Sequence, residues 1–548
     1  MATNTQDELL ISWVQVSVAR NFFHSPLELF NGNIFYPYTN TIAFSDLHLA
    51  SAILSYVPFL ISGQPITTQN VTLIFSLILL GFSSFLLTFS LSKNFLAGIL
   101  TGFLVQFAPA TLDKNVHLQI LAIGWVLLSV YFYLKWLKKR RFYLFLIALF
   151  FFVLQASNSF LPGYFIIASF AILTLVFFIR AGKKQKPIFE KKHIAAICLS
   201  LGVVLVFALP YYRVSKEFAY IRDIREAVHL SLQPEDLYYP NNLTRLQPIL
   251  AFFSNTSAYP QNAEVKVGYV GFVFSVLIIV ALVYCIKRWR RLPPELLSFI
   301  LIACVGLVLS FGPVLHFGRR TVHVPFPIPL PYSLLYYILP GFPGIRAVYR
   351  WEMLFILSMA VCSGVVVSQL TDKLTAVKRF ALFFVLLTLV IIEYNPMRFV
   401  KVVQVSEFPE VYQFLSNQAP KEVIVEMPIY NWNMAPYATI ELTRVYYSAI
   451  HKKKMINGAS GFSPPPWQQL VGNLHETFPS EDTLSLLKTK GVTLIIVHVS
   501  EYDRLHEDGF KVGAGVLLDG KDVVSILDGK KSVKMVKRFG SDYVYRIL

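Results

Sequence analysis

The sequence predicts a mainly α-helical membrane protein, with a polytopic transmembrane bundle of about ten spans followed by a C-terminal extracytoplasmic α/β domain. Three observations support this fold class. Of the 548 residues, 55% are hydrophobic and 15% charged, whereas a soluble chain carries about 25% charged residues. Apolar runs close to the ~20 residues needed to cross a bilayer recur as far as Tyr394. After Pro396 the pattern changes to short segments typical of an α/β domain.

Ten apolar runs are candidates for the spans, because each approaches the length of a membrane-crossing helix. The shorter run Leu47–Ile61 is expected to lie at the membrane interface. The ten runs are Thr68–Leu91, Phe95–Pro109, His117–Leu134, Phe142–Gln155, Phe160–Phe178, Ile194–Tyr211, Val267–Cys285, Leu296–Phe311, Trp351–Leu370 and Phe380–Tyr394.

The basic residues predict the orientation of these spans. Clusters of Lys and Arg follow the third, fifth, seventh and ninth runs, so ten spans place all of them on one side, and loops rich in Lys and Arg face the cytoplasm. The clusters are Lys138–Arg141, Arg180–Lys192, Lys287–Arg291 and Lys373–Arg379. They also account for much of the net charge of +17, so no nucleic-acid partner is expected. The N-terminal segment, the alternate loops and the C-terminal tail are predicted to be extracytoplasmic.

Three regions follow from this topology. Residues 1–67 form a first extracytoplasmic loop with interfacial helices, residues 68–396 the transmembrane bundle, and residues 397–548 the extracytoplasmic α/β domain. In that domain, hydrophobic periodicity predicts two helices and five strands. The helices are Glu407–Asn417 and Glu481–Lys488, and the strands are Glu422–Met427, Val492–Val499, Val523–Leu527, Val533–Val536 and Tyr543–Ile547.

Two acidic positions in the first loop are candidates for chemistry. Asp7 and Glu8 could act as a general base or hold a divalent cation against a phosphate. They could equally be the first-turn acids of an ordinary helix, where carboxylates favour the helix dipole. Asp46, followed closely by His48, could be the second carboxylate of such a site or the first acid of the interfacial helix.

The later outer loops supply basic residues. His117 opens a predicted span, where it is either a neutral hydrogen-bonded histidine or a contact to sugar or phosphate. Arg346 and Arg350 are four residues apart and would share one face of a helix. Paired guanidinium groups bind phosphates through two hydrogen bonds each, although arginines at helix ends also extend towards lipid headgroups without a specific role. The sequence contains no Walker motif, dinucleotide fingerprint or zinc-protease motif, which argues against a nucleotide-driven pump.

Several short outer-loop motifs together resemble a known family. An early acid is followed by Trp13, and seven further segments come in the same order and on the same predicted side as in polytopic bacterial glycosyltransferases of the GT-C superfamily. The resemblance extends over nearly the whole chain and is carried by Asn33–Pro37, Ala43–Asp46, His117–Gln119, Gly312-Pro313, Leu330–Tyr332, Pro340–Arg346 with Arg350, and Ser448 with His451 and Ile456–Phe462.

This resemblance implies transfer of a sugar from a lipid-linked donor, commonly a polyprenyl-phosphate sugar, to a glycan, lipid or protein acceptor at the outer face. It implies catalytic carboxylates at Asp7 and Asp46, which would also be the ligands of a divalent metal such as Mg or Mn. It places His117, Arg346 and Arg350 near phosphate or acceptor. Glu8 and His48 are further candidates for substrate binding.

Two features depart from the family pattern. The family normally begins with a spanning helix that delivers the first acid to the outer surface, whereas Asp7 is preceded by six residues. We therefore expect the natural chain to begin further upstream. The family also usually has a glycine before the acid, where this sequence has Gln6.

Two other classes of function stay open at the level of sequence. A transporter or flippase for lipid-linked glycans would carry ionisable residues at mid-membrane depth and broken helices, whereas the predicted spans are nearly free of charge. A non-catalytic scaffold would tolerate loss of Asp7. The distribution of charge favours an active site at the membrane surface.

Overall fold

The computed structural model describes residues 6–181, 189–238, 244–245, 268–317, 320–394, 408–431, 434, 437–512 and 515–548. The chain divides into two compact units. The helical unit comprises Thr72–Ala208 and Tyr220–Val402, and the sheet unit comprises Met1–Val71, Leu209–Ala219 and Val403–Leu548. The predicted boundary at residues 67 and 68 stays a prediction, and the one at residues 396 and 397 lies outside the described residues.

Each of the ten predicted apolar runs overlaps with a helix in the described part of the chain, which confirms the mainly helical fold. Five helical segments are long and apolar enough to cross a membrane, namely Ile66–Ser92, Leu118–Lys139, Phe160–Arg180, Lys191–Glu217 and Val348–Thr371. These segments identify an integral membrane protein, while the number of ten spans stays a prediction. The α-helices from residue 66 to residue 393 are Ile66–Ser92, Phe95–Gln106, Pro109–Leu112, Leu118–Leu121, Gly124–Lys139, Phe142–Asn158, Phe160–Ala181, Lys191–Glu217, Ile224–His229, Phe272–Lys287, Pro294–Ser310, Pro331–Ile338, Glu352–Thr371 and Ala376–Glu393.

A buried carboxylate fixes the start of one of these helices. Glu393, at the end of helix Ala376–Glu393, is 1% exposed. Its carboxylate accepts hydrogen bonds from the backbone N–H of Val273 (2.9 Å), from the hydroxyl of Tyr269 (3.1 Å) and from the backbone N–H of Phe272. The first N–H groups of a helix have no partner within the helix and attract negative charge. Glu393 therefore caps the neighbouring helix Phe272–Lys287 from outside that helix.

The sheet unit contains a five-stranded mixed sheet. Its strands are β1 (Val423–Met427), β2 (Lys454–Met455), β3 (Leu494–His498), β4 (Val533–Phe539) and β5 (Asp542–Ile547). They lie in the order β2-β1-β3-β5-β4. Strands β2, β1 and β3 are parallel, whereas β5 runs antiparallel to both β3 and β4. Strands β1 and β3 are buried along their whole length, and they form the centre of this core.

The helices of the sheet unit include one that was predicted to be a strand. Residues Val523–Leu527 lie in helix Gly520–Asp528, so the prediction from the run of β-branched residues was wrong. The side chain of Asp519 caps this helix by accepting a hydrogen bond from the N–H of Asp522, and Val523 and Leu527 are buried on one face, as the helical period requires. The α-helices of the sheet unit are Gln6–His24, Leu49–Ser62, Glu410–Ser416, Ala438–His451, Pro465–Thr477, Glu481–Thr489, Val499–Glu507 and Gly520–Asp528.

Short elements complete the described part of the chain. The 3-10 helices are Pro26–Glu28, Thr41–Phe44, Pro234–Leu237, Trp289–Arg291, Phe342–Gly344 and Val348–Trp351, and two small hairpins pair His316–Phe317 with Arg320–Thr321 and Lys511–Val512 with Gly515–Val516.

Candidate active site

The first two candidate acids lie at the start of a helix in the sheet unit. Asp7 and Glu8 occupy the first turn of helix Gln6–His24. Carboxylates at this position also stabilise an ordinary helix through its dipole. Asp7 is partly exposed. Glu8 is 8% exposed, and its Oε2 has no hydrogen-bond partner in the described part of the chain. Burial raises the pKa of Glu8 to about 7, and the charge of Asp7 adds to this increase, so the pair can hold a proton near neutral pH.

Asn33 fixes the helix that carries these acids. The Trp13 indole N–H donates to Asn33 Oδ1 (2.9 Å), and Asn33 Nδ2 donates to the backbone oxygens of Ser448 and Lys453 (both 3.0 Å). Trp13 is fully buried. Two features of the motif resemblance, the tryptophan after the acid and the following asparagine, thus hold the helix against residues more than 400 positions later in the chain.

The rest of the Asn33–Pro37 motif is also held by backbone pairing. The N–H of Phe35 donates to the carbonyl of Asn457 (3.0 Å), and the N–H of Tyr36 to that of Met455 (2.9 Å). A Cβ at Gly458 would lie 2.7 Å from the Phe35 ring, so this position is packed closely against the motif. We infer that much of the motif serves to build the sheet unit.

The second acidic position lies just before helix Leu49–Ser62, which was predicted to be interfacial. Asp46 is half-buried, and the adjacent Ser45 carbonyl accepts a hydrogen bond from the hydroxyl of Tyr211 (3.0 Å). His48 is 1% exposed, and its Nδ1 has no hydrogen-bond partner among the described residues. Burial lowers the pKa of His48 to about 4, against the opposing charge of Asp46. His48 is therefore a neutral, buried imidazole at physiological pH.

The residues expected to hold a metal do not form a cluster of three protein ligands. Over the described ranges, no group of three or more His, Cys, Asp or Glu side chains is arranged to hold a metal ion. A cation at Asp7 and Asp46 would thus take most of its ligands from water or substrate, as Mg²⁺ often does.

A basic cluster in the helical unit contains Lys114, His117, Arg346 and Arg350. His117 precedes the helical span Leu118–Lys139 and is half-buried. Burial lowers its pKa well below the ordinary value, and the charges of Arg350, Lys114 and Arg346 lower it further. Since charge effects of this kind act over short range, the three cations lie near enough to His117 to favour its neutral form. The structure thus brings together three basic residues that the resemblance places near phosphate or acceptor.

Lys114 is already neutralised within the protein. It is fully buried and forms ion pairs with Asp113 (2.9 Å) and Glu352 (3.0 Å), while its ammonium group lies 4.7 Å from the centre of the Tyr349 ring. Burial alone would lower the pKa of Lys114, but the two carboxylates more than compensate and raise it. Glu352 was missed in the sequence analysis. A signal was available, because a carboxylate at the start of the apolar run Trp351–Leu370 needs a partner when it is buried.

Arg346 and Arg350 each have N–H groups available for further hydrogen bonds. Arg346 is 63% exposed, and its Nε lies 3.9 Å from the carboxylate of Glu226. The buried Nε of Arg350 has no hydrogen-bond partner in the described ranges. The two arginines do not share the face of one α-helix, because Arg346 is in a non-helical stretch and Arg350 lies in the 3-10 helix Val348–Trp351. The charges of both arginines nevertheless lower the pKa of His117.

A family model described as a domain of unknown function, DUF6311, matches residues 5–393, which is more than half of the chain. The chain belongs to the DUF6311 family. No curated protein matches this DUF6311 protein significantly.

The solved structures that resemble this DUF6311 protein include an arabinofuranosyltransferase, an oligosaccharyltransferase and ArnT. Arabinofuranosyltransferase AftD from Mycobacteria has 11% identity and a TM-score of 0.48, covering 98% of this chain and 41% of its own. The Archaeoglobus fulgidus oligosaccharyltransferase, tethered with an acceptor peptide, has 12% identity and a TM-score of 0.46, covering 90% of this chain and 65% of its own. ArnT from Cupriavidus metallidurans bound to undecaprenyl phosphate has 10% identity and a TM-score of 0.35, and the match covers 98% of this chain and 96% of the ArnT chain.

The DUF6311 protein thus spans less than two thirds of the length of the first two of these structures. At these identities and TM-scores, the likeness assigns no activity to this chain.

Proposed function

We propose that this protein is a membrane glycosyltransferase that moves a sugar from a polyprenyl-phosphate donor to an extracytoplasmic acceptor. The acceptor would be a glycan, lipid or protein of the cell envelope. The distribution of Lys and Arg supports the orientation, with the N-terminal segment, the outer loops and the tail outside the cytoplasm. The order of the outer-loop motifs, which resembles that of the GT-C superfamily, supports the reaction class.

The basic cluster gives the strongest structural support. Lys114 is neutralised by two carboxylates, whereas Arg346 is exposed and Arg350 has an unused buried N–H. Neutral His117 adds a hydrogen-bonding group without charge. Guanidinium groups match the geometry of phosphate oxygens, so we assign Arg346 and Arg350 to the donor phosphate and His117 to the phosphate or the acceptor.

We assign the role of general base to Asp7. Its carboxylate would remove the proton of the acceptor hydroxyl while the hydroxyl oxygen bonds to the anomeric carbon of the donor sugar. The bond between that carbon and the phosphate oxygen breaks, and its electron pair leaves with the lipid phosphate, so the anomeric configuration is inverted. The two arginines stabilise the charge on the leaving phosphate. Glu8, with a pKa of about 7, would accept the proton next.

Asp46 and His48 have secondary roles in this proposal. Asp46 would be the second carboxylate, and His48, a neutral imidazole near it, would contribute to substrate binding. A divalent cation at Asp7 and Asp46 would supply additional charge for the leaving phosphate. Addition of EDTA followed by Mg²⁺ or Mn²⁺ tests whether turnover needs a metal.

The test uses the full-length protein in detergent with a panel of undecaprenyl-phosphate sugars and measures release of the lipid phosphate. Wild type should release it and Asp7→Asn should not. The matched control is Asp482→Asn, because Asp482 is also a first-turn acid, in helix Glu481–Thr489, and is exposed. Equal turnover of wild type and Asp7→Asn would refute the assignment of Asp7. Turnover of no donor by folded protein would favour transport or scaffolding.

A further inference from the structure

One loop of the helical unit begins and ends at apolar helices that pack against each other. This loop, residues 312–347, follows helix Pro294–Ser310 and precedes the span Val348–Thr371. A Cβ at Gly306 would lie only 2.8 Å from the backbone nitrogen of Phe355, so the two helices are in close contact where the loop leaves them. Both ends of the loop are therefore fixed at the same end of the helical bundle.

A third helix holds the later part of this loop. Tyr164, four residues after the start of helix Phe160–Ala181, donates its hydroxyl hydrogen to the carbonyl of Pro340. Its ring also meets Phe342 edge to face, with ring centres 5.0 Å apart. The rise of an α-helix places Tyr164 about 6 Å along the helix from its first residue. Residues 340–342 thus lie beside the first turns of a membrane-spanning helix, where the headgroup region begins.

The first half of the loop is a hydrogen-bonded hairpin with exposed apolar side chains. The backbone N–H of Val322 donates to the carbonyl of Leu315 (2.9 Å), and that of Leu315 to the carbonyl of Ile328 (3.0 Å). The large apolar residues that this hairpin exposes are Phe317 (64%), Val324 (72%) and Phe326 (77%). A group of exposed apolar side chains held on a paired backbone indicates an interaction surface.

The second half of the loop is the short helix Pro331–Ile338, which is apolar on both faces. Tyr332 and Tyr336 are buried on one face, and the hydroxyl of Tyr336 donates to the carbonyl of Arg222 (2.6 Å). The residues exposed on the opposite face are Leu334, Tyr337 and Ile338. An exposed apolar helix face that carries a tyrosine suits the boundary between membrane and water, where such amphipathic rings accumulate.

The charge of the loop indicates which kind of surface it contacts. Between Glu295 and Glu352 the sequence contains four arginines, two histidines and no Asp or Glu. Arg320 is exposed in the hairpin. Arg346 is also exposed, although Glu226 of a neighbouring helix offsets part of its charge at 3.9 Å. Apolar side chains accompanied by arginines and by no carboxylates of their own match a lipid monolayer with anionic headgroups.

We propose that this loop inserts into the outer monolayer of the membrane. Phe317, Val324 and Phe326 enter the boundary between headgroups and acyl chains, and Arg320 binds anionic headgroups. The exposed face of helix Pro331–Ile338 lies along the membrane surface. Insertion requires the membrane-spanning helices but not glycosyl transfer, so failure of the proposed reaction would leave the insertion intact.

Photo-crosslinking to lipid tests this insertion. The photoreactive residue p-benzoylphenylalanine replaces Phe326 in the full-length protein, which is illuminated in nanodiscs of phosphatidylcholine and phosphatidylglycerol. Mass spectrometry then measures the fraction of the protein that carries a lipid adduct. The positive control carries the probe at Leu199, an exposed residue of the span Lys191–Glu217, and the negative control carries it at Met535, an exposed residue of strand β4.

We expect the adduct fraction at position 326 to approach that at position 199 and to exceed that at position 535 about tenfold or more. Val324→Asp should reduce the adduct at position 326, because a charged side chain opposes insertion. This variant changes an exposed residue, so it should fold normally. Equal adduct fractions at positions 326 and 535, or a crosslink from position 326 to a second copy of the protein instead of lipid, would overturn the proposal.

The lipid composition tests the role of Arg320. Nanodiscs of phosphatidylcholine alone should give a smaller adduct fraction at position 326, because the arginine then lacks anionic headgroups. Arg320→Gln should abolish this dependence on phosphatidylglycerol. Equal adduct fractions with and without phosphatidylglycerol in the protein that retains Arg320 would refute the binding of anionic headgroups.

Discussion

Replacing His498 by glutamine should remove a pH-dependent part of the stability of the sheet unit. Burial alone would lower the pKa of His498, but the charge of Glu501 and the hydrogen bonds to Asp542 and Glu426 raise it to about 9. A histidine whose pKa is higher in the folded state stabilises that state fully below its ordinary pKa of 6.5, and this stabilisation is lost as the pH rises through the folded value.

The size of the effect follows from the two pKa values. A change from 6.5 to about 9 corresponds to about 3 kcal/mol in the free energy of unfolding. The side chain of His498 is 7% exposed, so solvent screens little of it. Glu441 titrates in a lower range, because burial raises its pKa to about 7 and its contribution is lost between 4.5 and that value. The range above neutral pH therefore isolates His498.

Pulse proteolysis in urea measures this change on the full-length protein in detergent. Between about pH 6 and pH 10, the urea midpoint of wild type should fall by about 1–3 M relative to His498→Gln, given the usual dependence of stability on urea. Exposed His323→Gln is the control and should follow wild type. A constant difference between wild type and His498→Gln across this range would refute the charge assignment for His498.

Three further predictions address packing, capping and the donor site. Gly458→Ala should destabilise the sheet unit by about 1–3 kcal/mol, because the new Cβ would lie 2.7 Å from the Phe35 ring. The control is Gly472→Ala, which has open space around it and should not destabilise the protein. Equal urea midpoints for wild type and Gly458→Ala would contradict this prediction. Glu393→Gln should lower the free energy of unfolding by about 1–3 kcal/mol through weakened bonds to the start of helix Phe272–Lys287, seen as a lower Tm in detergent, and an unchanged Tm would contradict the capping role. Arg350→Lys should raise the KM for the lipid-phosphate donor about tenfold or more with a smaller effect on kcat, because a lysine cannot form the paired hydrogen bonds of a guanidinium group; an unchanged KM would exclude Arg350 from the donor site.

The helices of the helical unit could be predicted because composition and length decide them. Long apolar segments have few alternatives to helix in a bilayer, since every backbone polar group must be paired internally. The short apolar runs of β1 and β3 were equally informative, because both strands are buried along their whole length. Val523–Leu527 was misassigned because three β-branched residues suggested a strand, whereas the cap at Asp519 and the spacing of Val523 and Leu527 decide for helix.

The arrangement of the candidate sites could be predicted only in part. His117 was placed at the start of a span, and its basic neighbours were named, but the pairing of Lys114 with Glu352 depends on segments more than 200 positions apart. The contact between Glu426 and His498 joins residues 72 positions apart. Periodicity reports which face of an element is buried, whereas contacts of this kind depend on which elements become neighbours in the fold.

The pairing of Asn33 with Ser448 has a consequence for how the protein is made. The two residues are 415 positions apart, and at a synthesis rate of about 5–20 residues per second roughly 20–80 s pass before Ser448 can meet Asn33. During this interval the helix that carries Asp7 has an exposed Trp13 and no completed partner surface. A chain that ends before Ser448 lacks the contacts through which Asn33 holds this helix, so the last hundred residues are needed to fix the position of the first acid.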